Sequence, residues 1–300
     1  MNERKKTVLV SGATGMLGKA LCVALEAKGH SVRRLSRGAA ADVKWDVAAG
    51  TIDAGAMTGV DVVVHLAGEP VAQRWTGATK AQILESRVGG AELLVGALLK
   101  EPIPPDYITA SGINYYGHQC GVGVTERSPL GGGFLAHVCD QWEGAAQPLI
   151  DAGIRSVSAR IGMILSSQGG ALTKMLPAFK LGLGGVIGAG SQHMSWVSLP
   201  DAVRILLLAV EDTSIQGPLN VVSPEPLTNR VFTQTLGAAL KRPTFLPMPA
   251  FAVKALFGKM GIEVLCADVG VLPQVLLERG FEWNFSDIKS CFEACLAKQF

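Results

Sequence analysis

The chain has 300 residues, of which 17% are charged and 48% are hydrophobic, and its formal net charge is +2. This composition is too apolar and too neutral for a disordered protein, and it has no basic surplus to attract nucleic acid or an anionic membrane. The sequence contains no run of eighteen apolar residues, the length that a helix needs to cross a bilayer. We therefore expect a globular protein with neither nucleic acid nor a membrane as a partner. The 36 glycines exceed the usual share of about 7%, so their positions are informative.

The first strand and helix enclose the most informative motif. Residues 7–11 (TVLVS) are an apolar run typical of a buried strand, and the apolar spacing over 16–27 predicts a helix. The glycines between them have the pattern GxxGxxG. In a strand–turn–helix context they favour a dinucleotide site: one glycine allows the tight turn, the next admits the pyrophosphate, and the third lets helix and strand pack closely. A merely tight turn is the alternative. The predicted cofactor contacts in this turn are Gly12, Thr14, Gly15, Met16, Leu17 and Gly18.

The end of the second predicted strand, residues 31–36, indicates which dinucleotide is bound. Folds that select NAD place an acidic residue there to bind the ribose 2′-hydroxyl. Here the stretch SVRRLSRG contains three arginines and no acid. Arg37, with Ser36 beside it, can pair with a 2′-phosphate through two hydrogen bonds. We predict NADP(H) as the cofactor, with NAD less favoured, and a solvated basic strand end as the alternative.

The rest of the chain continues to alternate strand and helix. Strands are predicted over 60–66, 107–111, 155–161 and 219–222, and helices over 79–99, 134–151, 201–211, 229–240, 251–257 and 273–278. This alternation predicts an α/β fold with a Rossmann-type doubly wound parallel sheet. Prolines 243, 247 and 249 mark a linker. We expect a dinucleotide-binding domain over 1–242, with substrate-side insertions at about 171–230, and a smaller, mostly helical substrate-side subdomain over 243–300.

The cysteines and histidines do not suggest a metal site. The six cysteines form no CxxC pair, and the five histidines form no HExxH. His137 and Cys139 lie two residues apart in a predicted helix, so their side chains point in different directions and cannot chelate. We expect reduced thiols, no bound metal and a cytoplasmic location.

Seven segments spread along the chain carry a family signature. They are SGATGMLG (11–18), HLAGEP (65–70), RWTGATKAQILESR (74–87), SGINYYG (111–117), KMLPAFKLGLGGVIGAG (174–190), SWVSLPD (195–201) and VLPQVLLERGFEW (271–283). Together they resemble the atypical short-chain dehydrogenase/reductases of the NAD(P)-dependent sugar-nucleotide epimerase/dehydratase type. The resemblance covers essentially the whole chain. It is closest to epimerase family proteins that carry a short C-terminal domain of unknown function.

The resemblance implies further site residues. Cofactor contacts are expected at Trp45, Asp46, Leu66, Ala67, Gly68, Arg87, Ser111 and Arg160, and substrate contacts at Glu69 and Trp196. Packing is the alternative for Trp45, and surface ion pairs are the alternative for the two arginines. The partners expected from it are the dinucleotide and an unidentified small-molecule substrate, with a homodimer left open. Asp201 follows a proline and is expected to cap its helix.

The usual acid/base pair of this superfamily is a tyrosine and the lysine four residues after it, and this chain lacks that pair. Its three tyrosines, Tyr107, Tyr115 and Tyr116, are followed there by Ser, Gln and Cys. Hydride chemistry through that pair is therefore excluded. Ser111, Tyr115 and Tyr116 remain the catalytic candidates, and Lys80 or Arg160 is expected to supply a cation. The sequence thus predicts an NADP(H)-binding oxidoreductase or an epimerase/dehydratase-like protein. The alternative is a non-catalytic dinucleotide-binding regulator, similar to relatives described as cell-division-inhibitor-like.

Overall fold

The computed structural model describes residues 4–38 and 41–300. Over these ranges the strands are β1 (Thr7–Ser11), β2 (Ser31–Ser36), β3 (Val43–Asp46), β4 (Thr51–Ile52), β5 (Val62–His65), β6 (Asp106–Gly112), β7 (Gln119–Val124), β8 (Ser156–Ile161), β9 (Met163–Leu165), β10 (His193–Met194), β11 (Trp196–Ser198), β12 (Gly217–Val221), β13 (Leu227–Thr228) and β14 (Asp268–Val271). The helices are α1 (Met16–Ala27), α2 (Gly77–Leu98), α3 (Phe134–Gly144), α4 (Gln147–Asp151), α5 (Gly170–Lys180), α6 (Leu199–Glu211), α7 (Asn229–Leu240), α8 (Ala250–Met260), α9 (Gln274–Glu278) and α10 (Ile288–Leu296).

The predicted doubly wound sheet is confirmed. Eight strands lie in the order β12-β8-β6-β5-β1-β2-β3-β4, and β4 alone among them pairs antiparallel to its neighbour. The chain moves outward from β1 to β3, then returns to β5 on the other side of β1 and moves outward again to β12. This reversal opens a crevice at the carboxyl ends of β1 and β5. Ligands of α/β proteins bind in such crevices.

The apolar strands place the sheet between two layers of helices. All of β5 and most of β1 are buried. Helices α1 and α6 pack on one face, with Leu21 and Ile205 in the shared core, and α2 and α4 pack on the other through Leu94 and Leu149. Nearly continuous apolar strands are typical of parallel sheets that are covered on both faces.

Two helices lie where the sequence predicts one over 134–151. Helix α3 ends at Gly144, and α4 begins at Gln147 with Pro148 in its first turn. In a continuous helix Pro148 would lack the N–H for the bond to Gly144, and its ring would clash with that carbonyl. The chain therefore starts a new helix at the proline.

Helices α5 and α10 and the short strands β3, β7 and β14 are absent from the sequence-based prediction. The sequence of β7, QCGVGV, contains Gly121 and Gly123, both with positive φ, and its pairing with β14 is irregular. Glycine weakens a strand pattern. Helix α5 contains Pro177, which obscures a helical pattern.

The C-terminal segment packs into the rest of the molecule. Strand β14 pairs in parallel with β7, and Phe292 of α10 lies against Phe232 of α7, with ring centroids 5.0 Å apart. The division between residues 242 and 243 stays a prediction. Within the described ranges, none of the helices combines the length and apolar character needed to cross a membrane.

Asp201 anchors the same C-terminal segment instead of capping its helix. Its carboxylate is fully buried and accepts hydrogen bonds from the backbone N–H groups of Asn284 and Phe285, at 2.8 and 3.0 Å. Ser198 caps α6, because its hydroxyl accepts from the N–H of Asp201 at 3.1 Å. The prediction that Asp201 caps α6 is therefore wrong, and Ser198, three residues earlier, provides the cap.

Candidate functional site

The three glycines after β1 form a turn that excludes side chains. Gly12 has a φ of +70°, and a Cβ there would lie 2.8 Å from the carbonyl carbon of Leu66. A Cβ at Gly18 would lie 2.2 Å from the carbonyl oxygen of Gly12. Gly15 is exposed and precedes α1, which has no side-chain cap and no acidic residue in its first turn. The first N–H groups of α1 are therefore suited to an anion.

The other predicted contacts in this turn differ in exposure. Thr14 is exposed, whereas Met16 and Leu17 are half-buried and pack against the core. The sulfur of Met16 would lie 3.3 Å from a Cβ at Gly169, just before α5. The loop before α5 thus lies close to Met16 at the start of α1.

The three arginines near the end of β2 have different surroundings. Arg33 donates to two backbone carbonyls within 56–58, and Arg34 pairs with Glu26. Arg37 is exposed and, within the described ranges, has neither a hydrogen-bond nor an ion-pair partner. Ser36, beside it, accepts a hydrogen bond from the N–H of Gly38. The guanidinium of Arg37 is thus available to a ligand.

A cavity of about 320 Å³ opens beside Arg37. Its other lining residues are Lys44, Trp45, Asp46, Thr51, Ile52 and Asp53. Both carboxylates are bound to backbone: Asp46 accepts from the N–H of Ala49 at 3.1 Å, and Asp53 accepts from the N–H of Lys44 at 2.8 Å. Trp45 is buried, so it lies mostly beneath the cavity wall. The structure brings Arg37, Trp45 and Asp46 together, and the cavity volume is within the range of small-ligand pockets.

A buried histidine holds the loop that follows β5. His65 Nδ1 lies 2.7 Å from the Ser11 hydroxyl oxygen, which also accepts from the N–H groups of Leu66 and Ala67 at 3.1 and 3.3 Å. Because these N–H groups already donate to Ser11, its own proton points to Nδ1 and the imidazole proton is on Nε2. The aromatic rings nearest the imidazole are Trp45, Tyr107 and Trp142. Burial lowers the pKa of His65 to about 4, so the ring is neutral at pH 7.

This histidine makes the stability of the fold depend on pH. The ordinary histidine pKa is near 6.5 and the folded pKa is about 4, so between these values the unfolded chain binds more protons. The free energy of unfolding should therefore fall as the pH decreases from 6.5 to 4, by about 3 kcal/mol at this site. Denaturant unfolding at several pH values measures it.

The matched variant for this measurement is His65→Asn. It keeps an acceptor where Nδ1 stands but does not titrate, so its stability should lose this part of the pH dependence. His137→Asn, at an exposed histidine on α3, should keep the wild-type dependence. Equal slopes for the wild type and His65→Asn would contradict the assignment.

Arg87 lies beneath the loop after β5 and has no carboxylate partner within 4.0 Å in the part of the chain that the structure describes. A Cβ at Gly68 would lie 3.0 Å from its guanidinium carbon. Its Nη1 donates to the carbonyls of Glu69 and Ile83 at 2.9 and 3.2 Å, and the guanidinium lies over the ring of Trp142. Burial lowers the pKa of Arg87. An incompletely solvated cation bound only to carbonyls favours the approach of an anion.

A chain of buried polar groups lies at the carboxyl ends of β6 and β8. The Ser111 hydroxyl donates to Glu143 Oε1 at 2.6 Å, and Arg160 donates through Nε and Nη2 to both oxygens of Glu143, at 2.9 and 2.8 Å. Arg160 Nη1 donates to the Tyr116 hydroxyl at 3.0 Å, and that hydroxyl donates to Asn220 Oδ1 at 2.7 Å. The network joins two central strands through a bidentate ion pair.

The two adjacent tyrosines therefore have different environments. Burial raises the pKa of Tyr116, with Arg160 opposing the shift, and its hydroxyl is bound on both sides. Tyr115 is half-buried, with the Arg160 guanidinium carbon 3.4 Å from its ring centroid. Within the described ranges its hydroxyl has no hydrogen-bond partner. Of the two expected cations, Arg160 is the one that contacts the tyrosines.

Helix α3 begins with a phenylalanine that contacts an aromatic ring and a lysine from the segment before α2 and its first turn. Phe134 packs edge-on against Trp75, and the Lys80 ammonium lies 4.5 Å from its ring centroid. The N–H groups of Phe134 and Leu135 donate to Glu263 Oε2 at 2.8 and 3.3 Å. The C-terminal segment thus supplies a carboxylate acceptor for the first N–H groups of α3.

The two expected substrate residues lie apart. Glu69 is half-buried beside the crevice, and its carboxylate accepts from the amide of Gln73 at 3.3 Å. Trp196 is 1% exposed and packs in a core with Phe232 and Phe292. The structure therefore places Trp196 beyond the reach of a ligand, because the helices α7 and α10 cover it.

Two residues central to this region, His65 and Glu143, were missed in the sequence. His65 begins the HLAGEP segment and ends β5, so its position at a strand terminus was a usable signal. Glu143 is the acid of α3 that faces β6 and β8, and only the packing of the helix shows that it meets Ser111 and Arg160.

A second cavity, of about 490 Å³, lies beside the tyrosines. It is lined by residues 116–120, 124 and 128–132. His118 and Cys120 border it, but the described residues contain no group of three side chains that could hold a metal ion.

The fold and site together define a Rossmann-type α/β protein of the short-chain dehydrogenase/reductase kind. The family described as NAD dependent epimerase/dehydratase matches residues 8–133, and a domain of unknown function, DUF1731, matches residues 248–295. An epimerase family protein of Mycobacterium leprae is 40% identical over 95% of this chain and 94% of its own length. The chain therefore belongs to the epimerase family proteins, as the sequence resemblance predicted.

Solved structures agree with this membership. The crystal structure of the human epimerase family protein SDR39U1 (isoform 2) with NADPH is 35% identical, has a TM-score of 0.88, and is matched over 97% of this chain and 99% of that chain. A nucleoside-diphosphate sugar epimerase from Corynebacterium glutamicum is 31% identical, with a TM-score of 0.81, and is matched over 98% of this chain and 58% of that chain.

Proposed function

We propose that this chain binds NADP(H) in the crevice at the carboxyl ends of β1, β2 and β5. The glycine turn and Arg87 would hold the phosphates, the cavity at Trp45 and Asp46 would hold the adenosine, and Arg37 with Ser36 would hold the 2′-phosphate. The observation that carries the proposal is the exposed guanidinium of Arg37, which has no partner among the described residues, at the strand end where NAD-selective folds have an acid. The relative crystallised with NADPH supports the same cofactor.

Arg37→Gln tests the cofactor preference. Because a hydrogen bond to a charged group contributes about 1.5–3 kcal/mol, NADPH affinity should fall by about 10- to 100-fold. NADH affinity should change much less, since NADH has no 2′-phosphate. Titration calorimetry with both cofactors measures this.

The matched control is Arg34→Gln. Arg34 lies on the same strand but pairs with Glu26, so its loss should leave the affinity ratio of the two cofactors unchanged. Equal losses for NADPH and NADH in Arg37→Gln would contradict the assigned position of the 2′-phosphate.

For the reaction, we propose an oxidoreductase or nucleotide-sugar epimerase/dehydratase-like enzyme acting on a small molecule. When bound, NADP(H) supplies hydride chemistry. Ser111 and Tyr115 would contact the substrate, since the Tyr115 hydroxyl is free of described partners, whereas Tyr116 is held by Arg160 and Asn220. Glu143 would position Ser111 by accepting a hydrogen bond from its hydroxyl.

One observation favours a second function, that of a non-catalytic dinucleotide-binding regulator. None of the three tyrosines is followed four residues later by lysine, and Glu263 accepts a hydrogen bond from the N–H of Phe134 at the start of α3. A screen of nucleotide sugars and small carbonyls for NADPH turnover discriminates the two. Substrate-dependent turnover that disappears in Tyr115→Phe would exclude the regulator, and the lack of turnover with tight NADPH binding would favour it.

We also propose that the functional division of the chain is 1–242 and 243–300.

A further inference from the structure

An exposed apolar surface lies on two neighbouring chain segments, 180–188 and 241–259. The segments run side by side, because Gly185 and Phe245 form one isolated β-bridge, and Ile187 and Met248 form another. We call this surface the apolar-basic face. Its exposed large apolar side chains are Leu181, Leu183, Phe245, Leu246, Phe251, Leu256 and Phe257.

The exposure of these side chains is large. Leu181, Phe245 and Phe251 are 75%, 74% and 77% exposed. Helix α8 buries only Val253 and Met260, so most of the helix surface has no protein partner among the described residues. Monomeric proteins rarely expose contiguous apolar groups of this kind unless they bind something there.

The same part of the chain is strongly basic. Residues 170–200 and 226–262 contain seven Lys or Arg and no Asp or Glu. The seven are Lys174, Lys180, Arg230, Lys241, Arg242, Lys254 and Lys259. In the described ranges none of them pairs with a carboxylate. Since the whole chain has 27 Lys and Arg against 25 Asp and Glu, the remainder is net negative, and the near-neutral total conceals this asymmetry.

We propose that the apolar-basic face binds the surface of an anionic lipid bilayer. Phe245, Phe251 and Leu256 would enter the boundary between headgroups and acyl chains, and the lysines around them would contact the anionic headgroups. Exposed Phe and Leu bordered by Lys are typical of surfaces that lie in the membrane interface. The proposal departs from the sequence-based expectation of no membrane partner, because that expectation used the total charge. It is independent of the proposed function, since none of these residues belongs to the dinucleotide crevice.

The charge distribution argues against a second copy of the chain on this face. A two-fold interface would place the face against itself and bring its cations together. It also differs from a typical protein–protein interface in its charged residues, because such interfaces are enriched in Arg and depleted in Lys. Four of the five Lys and Arg residues within the face are Lys.

Vesicle co-sedimentation of the full chain tests the proposal. With vesicles of phosphatidylcholine containing about 30% phosphatidylserine, the chain should sediment at about 0.1 M salt. Binding should be at least about tenfold weaker with phosphatidylcholine alone or at about 0.5 M salt, since salt screens the attraction. A correctly folded chain that does not bind the anionic vesicles at low salt overturns the proposal.

Two sets of variants locate the contact. Lys254→Gln with Lys259→Gln should weaken binding to anionic vesicles about 25-fold, at about fivefold for each lysine. Phe251→Ser with Leu256→Ser should also reduce it. The controls are Lys28→Gln with Lys100→Gln, and Ile103→Ser, whose side chain is 88% exposed outside the face. These controls should bind as the wild type does.

Two further readouts keep the result specific. NADPH titration should give wild-type affinity for every variant, so a failure of lipid binding and a failure of the proposed function are separate results. Equal losses in the face variants and the controls would overturn the proposal. So would sedimentation velocity showing a dimer that Phe251→Ser converts to a monomer, because the face would then be a self-association interface.

Discussion

Replacing Glu143 with Gln should lower the free energy of unfolding by about 3–5 kcal/mol. Arg160 is 4% exposed, and Glu143 supplies both oxygens of its bidentate pair. The amide keeps one acceptor oxygen but removes the charge, so Arg160 is left as an uncompensated buried cation. The same change weakens the hydrogen bond from Ser111. Denaturant unfolding of the two proteins, followed by circular dichroism, measures the difference.

The control is Glu26→Gln, which breaks an ion pair of the same chemistry on the surface. The side chains of Glu26 and Arg34 are 45% and 41% exposed, so water replaces the lost contact. This change should cost about 0–1 kcal/mol. A loss for Glu143→Gln no larger than that of the control would show that the buried network contributes little to stability.

Gly18→Ala should reduce NADPH affinity by about 100-fold and lower the free energy of unfolding by about 1–3 kcal/mol. The new Cβ would lie 2.2 Å from the carbonyl oxygen of Gly12, which is backbone and cannot turn aside. The turn must therefore shift, and with it the N–H groups that would face the phosphates. Calorimetric titration and denaturant unfolding measure the two effects.

The matched control is Gly96→Ala, on the exposed surface of α2. Among the described residues outside the adjoining turns of α2, no heavy atom would lie within 4 Å of a Cβ at Gly96. Because alanine favours the helix over glycine, this change should raise stability by about 0.5–1 kcal/mol and leave NADPH affinity as it is. Wild-type cofactor affinity in Gly18→Ala would show that the glycine turn does not hold the phosphates.

Much of the central sheet was predictable, because its signals are local. The strands at 7–11 and 31–36 and the helices at 16–27 and 229–240 have the predicted bounds. Each of these elements is indicated by apolar periodicity or by a glycine at a turn, and both signals depend only on residues that are close along the chain. The small strands β7 and β14 were not predictable in this way. Their apolar pattern is weakened by glycine, and they are held by pairing with each other across the chain.

The candidate site was predictable only in part, for a similar reason. The glycine turn and Arg37 follow from residue type and position along one strand–turn–helix unit. The burial of a side chain and its pairing with another do not follow from residue type and position along the chain. Trp196 lies in a conspicuous sequence segment, yet α7 and α10 cover it, whereas Glu143 has no motif and becomes the partner of both Ser111 and Arg160.

The amino-acid sequence by itself determined the class of fold, the place of the phosphate turn and the family. These depend on local spacing and on motifs whose residues are close along the chain. Only the tertiary structure decided which of the two tyrosine hydroxyls has no partner among the described residues, why His65 is neutral, and that the exposed apolar segments 180–188 and 241–259 run side by side. Those properties arise from segments that are far apart in sequence, because burial and charge pairing depend on what the folded chain brings into contact.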